Sequence, residues 1–211
     1  MRRRQEERSQ ATRAALVGHA RRLFAERGYA AVPADEVVAA AGVTRGALYH
    51  HYGDKQGLFR AVFEEIEREV TEQVAEAIVG EDDLWQVMLR GLAAFLDACE
   101  RPEVVRIGLT DAPAVLGWQT WREIEAEHGL GLIIALLERA INEGVIAPQP
   151  VPVLAQIVLG ALIEAALLIA AAEDRQAARA AAERSVQTLV SGLLVDSAAR
   201  GAEAPGGRPT Q

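Results

Sequence analysis

Leu58, Val62, Ile66, Val70, Val74 and Ile78 recur at intervals of four residues through a stretch that contains neither proline nor glycine. Apolar residues four apart share one face of an α-helix, whereas in a strand the same face would also carry the residues midway between them, here the charged Arg60, Glu64, Arg68, Glu72 and Glu76. This run commits the chain to one long helix. Phe59 and Phe63 widen its apolar stripe so far that it needs partners on more than one side. The same periodicity recurs elsewhere and alternating strand patterns are almost absent, which predicts an all-α fold of about nine helices.

The punctuation divides the chain. Leu16, Ala20, Leu23 and Phe24 stripe a first helix that stops at Gly28, and Pro33 suits the first turn of a second helix carrying Val37, Val38 and Ala41. Gly42 ends that helix, Thr44 can cap a very short third one, and Asp54 can cap the long fourth. Later helices are expected from Leu84 to about Glu100, briefly after Pro102, from about Trp118 to Asn142, and near Val153–Ala172 and Arg175–Ser197, with "DAPAVLG" read as a break. The expected organisation is a flexible basic arm over residues 1–10, a helix-turn-helix domain over 11–57, a larger helical domain over 58–197 and a disordered tail over 198–211.

Charge separates the same two regions. The net charge is -8, yet residues 1–60 hold eleven Lys and Arg against six Asp and Glu, while the remainder holds eleven against twenty-four. A basic module on an acidic body suits a protein whose front alone meets a polyanion. The single Cys99 excludes an internal disulfide and no signal-peptide pattern opens the sequence, so a cytoplasmic location is expected. The run "VPVLAQIVLGALIEAALLIAAA" is long enough to span a bilayer. Mid-run Glu164 and the abundance of alanine favour a buried helix and no membrane partner. Gly160, Ala161 and Ala165 would let another helix approach, and the stripe Ala178, Ala182, Val186, Leu189 and Leu193 offers a match, so the last two helices are expected to form a homodimer.

"AGVTRGALYHHYGDK" concentrates the chemistry: it holds the only lysine, two of four histidines and two of three tyrosines. A glycine turn between two short helices is the helix-turn-helix pattern, whose second helix enters the major groove. Thr44 supplies a hydroxyl for phosphate, Arg45 a guanidinium able to grip guanine, and Gly46 room for close approach; Lys55 adds a charge at the start of the next helix. His50 and His51 are not read as a metal pair, since adjacent helical residues diverge by about a hundred degrees and no further ligands lie nearby.

At these residues the chain resembles the TetR family of transcriptional regulators, over the run from Leu23 to Phe63 that includes "AGVTRG", "LYHHY" and the lysine three residues later. The resemblance implies phosphate contacts at Thr44, Tyr49, His51 and Lys55 and groove contacts around Arg45, Gly46, Ala47 and His50 on a double-stranded DNA operator. It implies core positions for Leu48 and Tyr52. Val38 stands where the family usually has a small alanine, and Val32 and Pro33 where it usually has a hydroxyl residue, which removes a cap and a phosphate contact that the arginine-rich arm could replace.

The resemblance also implies a second domain that dimerises and binds a small-molecule effector. Trp85, Met88, Leu92 and Phe95 share one helical face, and with Leu109, Trp118, Trp121 and Glu164 they form the expected lining for an apolar or aromatic ligand; ordinary core packing is the equal alternative for each. Gln156 is a second candidate polar group. His128 beside Glu125 and Glu127 reads as an exposed helical face. No phosphate loop, triad spacing or metal cluster appears, so neither catalysis nor a cofactor is expected. The expected function is a repressor released from its operator by a small ligand, with an activator of the same fold or a ligand-independent DNA-binding protein as alternatives.

Overall fold

The computed structural model describes residues 2–195, with side chains from Arg4 onward. The tail expected over 198–211 lies outside the described residues. The helices are α1 (Arg2–Arg27), α2 (Ala34–Ala40), α3 (Arg45–Tyr52), α4 (Lys55–Ala77), α5 (Leu84–Cys99), a π-helix (Val104–Asp111), α6 (Ala112–Leu116), α7 (Trp118–Asn142), α8 (Val151–Ala171) and α9 (Arg175–Ser191). The fold is all-α.

Local chemistry explains the starts. Thr44, Asp54, Asp83 and Asp174 each accept a hydrogen bond from the backbone N–H three residues on, satisfying one of the donors that the first turn of a helix leaves unpaired. Pro33 precedes α2 without a side-chain cap, as expected of a proline in that place. Gly28 takes φ +78°, and a Cβ there would strike the guanidinium of Arg106. The α1–α2 turn therefore needs glycine for its left-handed backbone, and the Arg106 guanidinium packs where a side chain would otherwise stand.

Two expectations are corrected. Residues 2–10 are not a free arm: they are the first turns of α1, because Arg, Gln and Glu are good helix formers and the helix behind them supplies the nucleus. "DAPAVLG" is not a break before Gly117. Pro113 falls at the start of α6, where a missing N–H costs nothing, and the chain turns only at Gly117, with φ +81°.

The long α4 is the spine. It buries Leu58, Phe59, Val62, Phe63, Ile66 and Val70, and it packs against α1, α3, α5, α6, α7 and the π-helix. One continuous core runs from Leu16 and Phe24 in α1, past Leu48 in α3, to Trp121 in α7 and Ile163 in α8. Beside it Arg21 of α1 donates to Glu65 and Glu69 of α4 at 3.3 and 2.6 Å and to Glu103 at 2.5 Å, clamping the front helices to the spine.

α8 is apolar enough to cross a membrane by length and composition, but it buries Ala155, Leu159, Ile163, Ala166 and Ile169 against the rest of the chain. Its other face exposes Val153, Ile157 and Leu168, which lie four and eleven residues apart on one side of the helix. The stripe expected on α9 divides. Ala178, Ala182 and Val186 pack inward with Leu92, Leu96, Ala165 and Ile169, while Leu189 alone of that stripe is largely exposed. Ala165 is likewise interior, whereas among the described residues nothing lies within 4 Å of where a Gly160 side chain would begin.

Candidate nucleic-acid interface and effector cavity

Leu48 is fully buried and Tyr52 packs on the same core, its hydroxyl donating to the Arg13 carbonyl at 3.3 Å. That anchoring turns Thr44, Arg45, Gly46, Tyr49 and His50 outward on one face of α3, with Ala47 and His51 half-buried at its margin. The Thr44 side chain accepts from the Ala47 N–H, so its own hydroxyl proton remains to be donated elsewhere. Arg45 Nη1 donates to Asp35 at 3.2 Å and Nη2 to the Tyr49 hydroxyl oxygen at 3.1 Å. Its guanidinium also lies 5.6 Å from the Tyr49 ring centre. A residue read as a base reader is thus held extended by α2 and by its own helix, over largely exposed partners that a stronger acceptor can displace.

Partial burial and the charges of His50 and Arg13 hold the His51 imidazole below its ordinary value, so it is neutral near pH 7 and offers an N–H. Lys55 is engaged differently from expectation. Its ammonium donates to the carbonyls of Tyr29 and Val32 at 2.8 and 2.9 Å and sits 3.8 Å from the Tyr29 ring centre. In the free protein it fixes the α1–α2 loop against the start of α4, and burial lowers its proton affinity.

Gly46 has a helical backbone, and a Cβ there would meet only Thr44 Oγ1, at an ordinary 3.8 Å. Nothing among the described residues requires glycine there. Gly46→Ala is expected to stabilise the fold by about 0.5–1 kcal/mol, the usual helix preference for alanine. The same methyl should weaken binding to double-stranded DNA, because it occupies the surface that α3 would press into a groove. Urea unfolding and a DNA titration on the one variant check both signs.

A cavity of about 160 Å³ lies between α4, α5, the π-helix, α7, α8 and α9. Trp85, Met88, Leu92, Phe95 and Leu109 line it, and the other three expected residues do not. Trp121 is fully buried in the core and Trp118 is 66% exposed on the surface beside it, the rings 4.8 Å apart. The pair sits at the start of α7, before the chain reaches the cavity wall. Glu164 lies on the exposed face of α8, and Gln156 is also absent from the wall.

Two acidic wall residues escaped the sequence reading, Glu67 of α4 and Glu125 of α7. Glu125 is only 5% exposed, contrary to the exposed face expected around His128, and its Oε2 lies 3.5 Å from Arg122 Nη1 without a hydrogen bond. Burial pushes its carboxyl up to about 8, with the charge of Glu67 adding to the effect. Burial alone pushes Glu67 up to about 7. The Cys99 thiol, also in the wall, is held protonated by the same apolar surroundings and the two carboxyls.

The π-helix runs from the cavity wall to the α1–α2 loop. Val104 and Leu109 face the cavity, while Asp111 at its end accepts from the Tyr29 N–H at 2.7 Å and pairs with Arg106 at 3.4 Å. Tyr29 is in turn the residue beneath the Lys55 ammonium. π-helical turns are strained relative to α-helix and recur at functional positions.

Residues 16–62 match the family described as bacterial regulatory proteins, tetR family, and residues 85–193 match the tetracyclin repressor-like C-terminal domain. The crystal structure of a TetR-family transcriptional regulator from Pectobacterium atrosepticum is 38% identical, covers 90% of this chain and 97% of its own, and superposes with a TM-score of 0.78. RolR in complex with resorcinol is 21% identical with a TM-score of 0.69, over 90% of this chain and 98% of its own, a likeness of fold. The transposon Tn10 TetC protein of Escherichia coli is 30% identical over 66% of this chain and 70% of its own length. The match to the repressor AcnR of Corynebacterium glutamicum, 41% identical, spans 38% of this chain and 40% of that protein. With both of its regions matched, one by a domain covering residues 85–193, and a homologous structure superposing along nearly its whole length, this chain belongs to the TetR family of transcriptional regulators.

Proposed function

We propose that this protein is a homodimeric repressor that binds a double-stranded DNA operator through α3 and leaves it when a small apolar or aromatic molecule fills the cavity. The observation that carries the first half is the outward face of α3, where Thr44, Arg45, Gly46, Tyr49 and His50 stand exposed over a buried Leu48. Arg45 reads sequence, the Thr44 hydroxyl, Tyr49 and the neutral His51 hold phosphates, and Lys55 acts by fixing the loop that supports them. The exposed Val153, Ile157 and Leu168 on α8, beside the open Gly160, and Leu189 on α9 supply the apolar surface for a partner copy. Regulators of this family act in the cytoplasm, where such an operator lies.

Release follows from the connection between cavity and reading head. α4 carries both Val62 of the front core and Val70 of the cavity wall, and the π-helix carries both Leu109 and Asp111. A molecule in the cavity displaces those elements together and changes the separation of the two α3 helices. Half-sites lie about 34 Å apart along the duplex, so a changed separation disengages one of them.

Arg45→Ala is the test of the reading role. It is expected to relax base preference at one operator position by about 1–3 kcal/mol while leaving binding to other positions unchanged. Selection of bound sequences with wild type and variant reads this directly, and an unchanged preference removes Arg45 from the role.

A further inference from the structure

The cavity wall carries a chemical demand that its apolar character hides. Among the described residues that line it there is no Arg, Lys or His, and the polar groups beside the two carboxyls belong to Thr71, Gln187, Trp85 and Cys99. Glu67 forms no hydrogen bond or ion pair among the described residues, and Glu125 leaves Oε2 buried without a hydrogen-bond donor. Both are wall residues of one cavity, and the charge of Glu67 is felt at Glu125. Keeping two carboxyls in an apolar enclosure, one with no partner among the described residues and the other facing only Arg122 at 3.5 Å, is costly to folding. The arrangement is not a metal site, since among the described residues no three His, Cys, Asp or Glu side chains converge on one point.

We infer that the effector is a lipophilic amine whose protonated nitrogen pairs with Glu67 and Glu125 while its hydrocarbon body lies on the walls formed by Trp85, Met88, Leu92 and Phe95. This rests on the ligand-responsive reading above and names the chemical class of its ligand. A cation is the group whose desolvation two carboxylates of one wall can offset, and the rings of Trp85 and Phe95 add attraction for positive charge. A carboxylate ligand would bring a third negative group to a wall with no basic residue. The volume of about 160 Å³ suits a single-ring aromatic amine, since an apolar cavity of about 150 Å³ admits benzene. Burial holds both carboxyls above their ordinary value, so the amine displaces a proton as it binds near neutrality. Cys99 stays a neutral thiol, and Arg122 and Arg101, whose charges reach Glu125 and Cys99, lie outside the wall.

The test uses the full-length protein and three probes of matched size: phenethylamine, phenethyl alcohol and phenylacetate, titrated calorimetrically. The amine is expected to bind at least about tenfold more tightly than the alcohol, and phenylacetate at least about tenfold more weakly than the alcohol. A variant combining Glu67→Gln and Glu125→Gln should bring amine and alcohol to within about twofold of each other while leaving the alcohol's affinity unchanged. Both changes remove a buried charge, so the variant should fold at least as well, and its affinity for selected DNA verifies that it has. Phenylacetate binding as tightly as the amine, or an amine preference that survives both substitutions, overturns the inference and leaves the ligand cavity standing. If none of the three probes binds while DNA binding is intact, the cavity reading itself falls, and this inference with it.

Discussion

Glu125→Gln is expected to stabilise the protein by about 3–5 kcal/mol at a pH of about 9 and to leave its stability at a pH of about 4 nearly unchanged. The cause is the folded-state carboxyl pushed up to about 8 by burial and by the charge of Glu67. In the unfolded chain the same group titrates near its ordinary value of about 4.3. Between those two values the folded state binds more protons than the unfolded one. Its stabilising contribution is therefore full below the unfolded value and is lost as the pH rises through the folded value. Glutamine mimics the protonated side chain in size and hydrogen bonding but cannot ionise, so the loss disappears in the variant. Urea unfolding at one protein concentration across this pH range, with wild type beside variant, reads the difference. Equal stability of the two proteins at the upper end would show that Glu125 is solvated and unstressed.

The Arg21 cluster predicts the opposite slope in acid, which keeps the two effects separable. Hydrogen bonding to Arg21 holds the Glu69 carboxyl below its ordinary value, so that contribution is present above the unfolded pKa and disappears as the pH falls through the folded one. Carboxylates of one chain thus act in opposite directions because one has a guanidinium and the other an apolar wall.

The fold was legible to the extent that helices announce themselves by period and punctuation. The four-residue spacing from Leu58 to Ile78 marks α4, and Thr44 and Asp54 mark starts that the structure shows as caps. The π-helix was not legible, because "VVRIGLTD" carries helical periodicity and its register depends on what packs around it. The cavity was half legible. Trp85, Met88, Leu92 and Phe95 share a face that any amphipathic reading would find, but facing inward does not distinguish a wall from a core, and Trp121 became core. Glu125 was concealed by its neighbours Glu123, Glu127 and His128, although 125, 129, 132 and 136 form one column that is otherwise apolar or glycine. A single acid in such a column is the available signal. Lys55 shows the converse limit: its position was evident, while its acceptors lie on a loop more than twenty residues earlier, a distance no local pattern spans.

Asp111→Ala should uncouple the cavity from DNA while sparing both binding sites. Asp111 accepts from the Tyr29 N–H at 2.7 Å and pairs with Arg106, the same arginine that packs under Gly28. Its side chain is 15% exposed, so the interactions are largely shielded from water. Removing an ionised acceptor of this kind costs about 1.5–3 kcal/mol of stability. The larger consequence is functional. Without the carboxylate, movement of Val104 and Leu109 in the cavity wall is no longer passed to the loop that Lys55 holds beside α3. Coupling free energies between sites run at about 1–3 kcal/mol, so the ligand-induced loss of DNA affinity should shrink by about tenfold or more. Ligand affinity for the DNA-free protein and DNA affinity without ligand should each stay within about threefold of wild type, because Asp111 belongs to neither surface. Reciprocity adds an internal check: DNA should weaken ligand binding less in the variant, by the same factor. An undiminished response in Asp111→Ala would assign the transmission to α4 alone, through the core that joins Val62 to Val70.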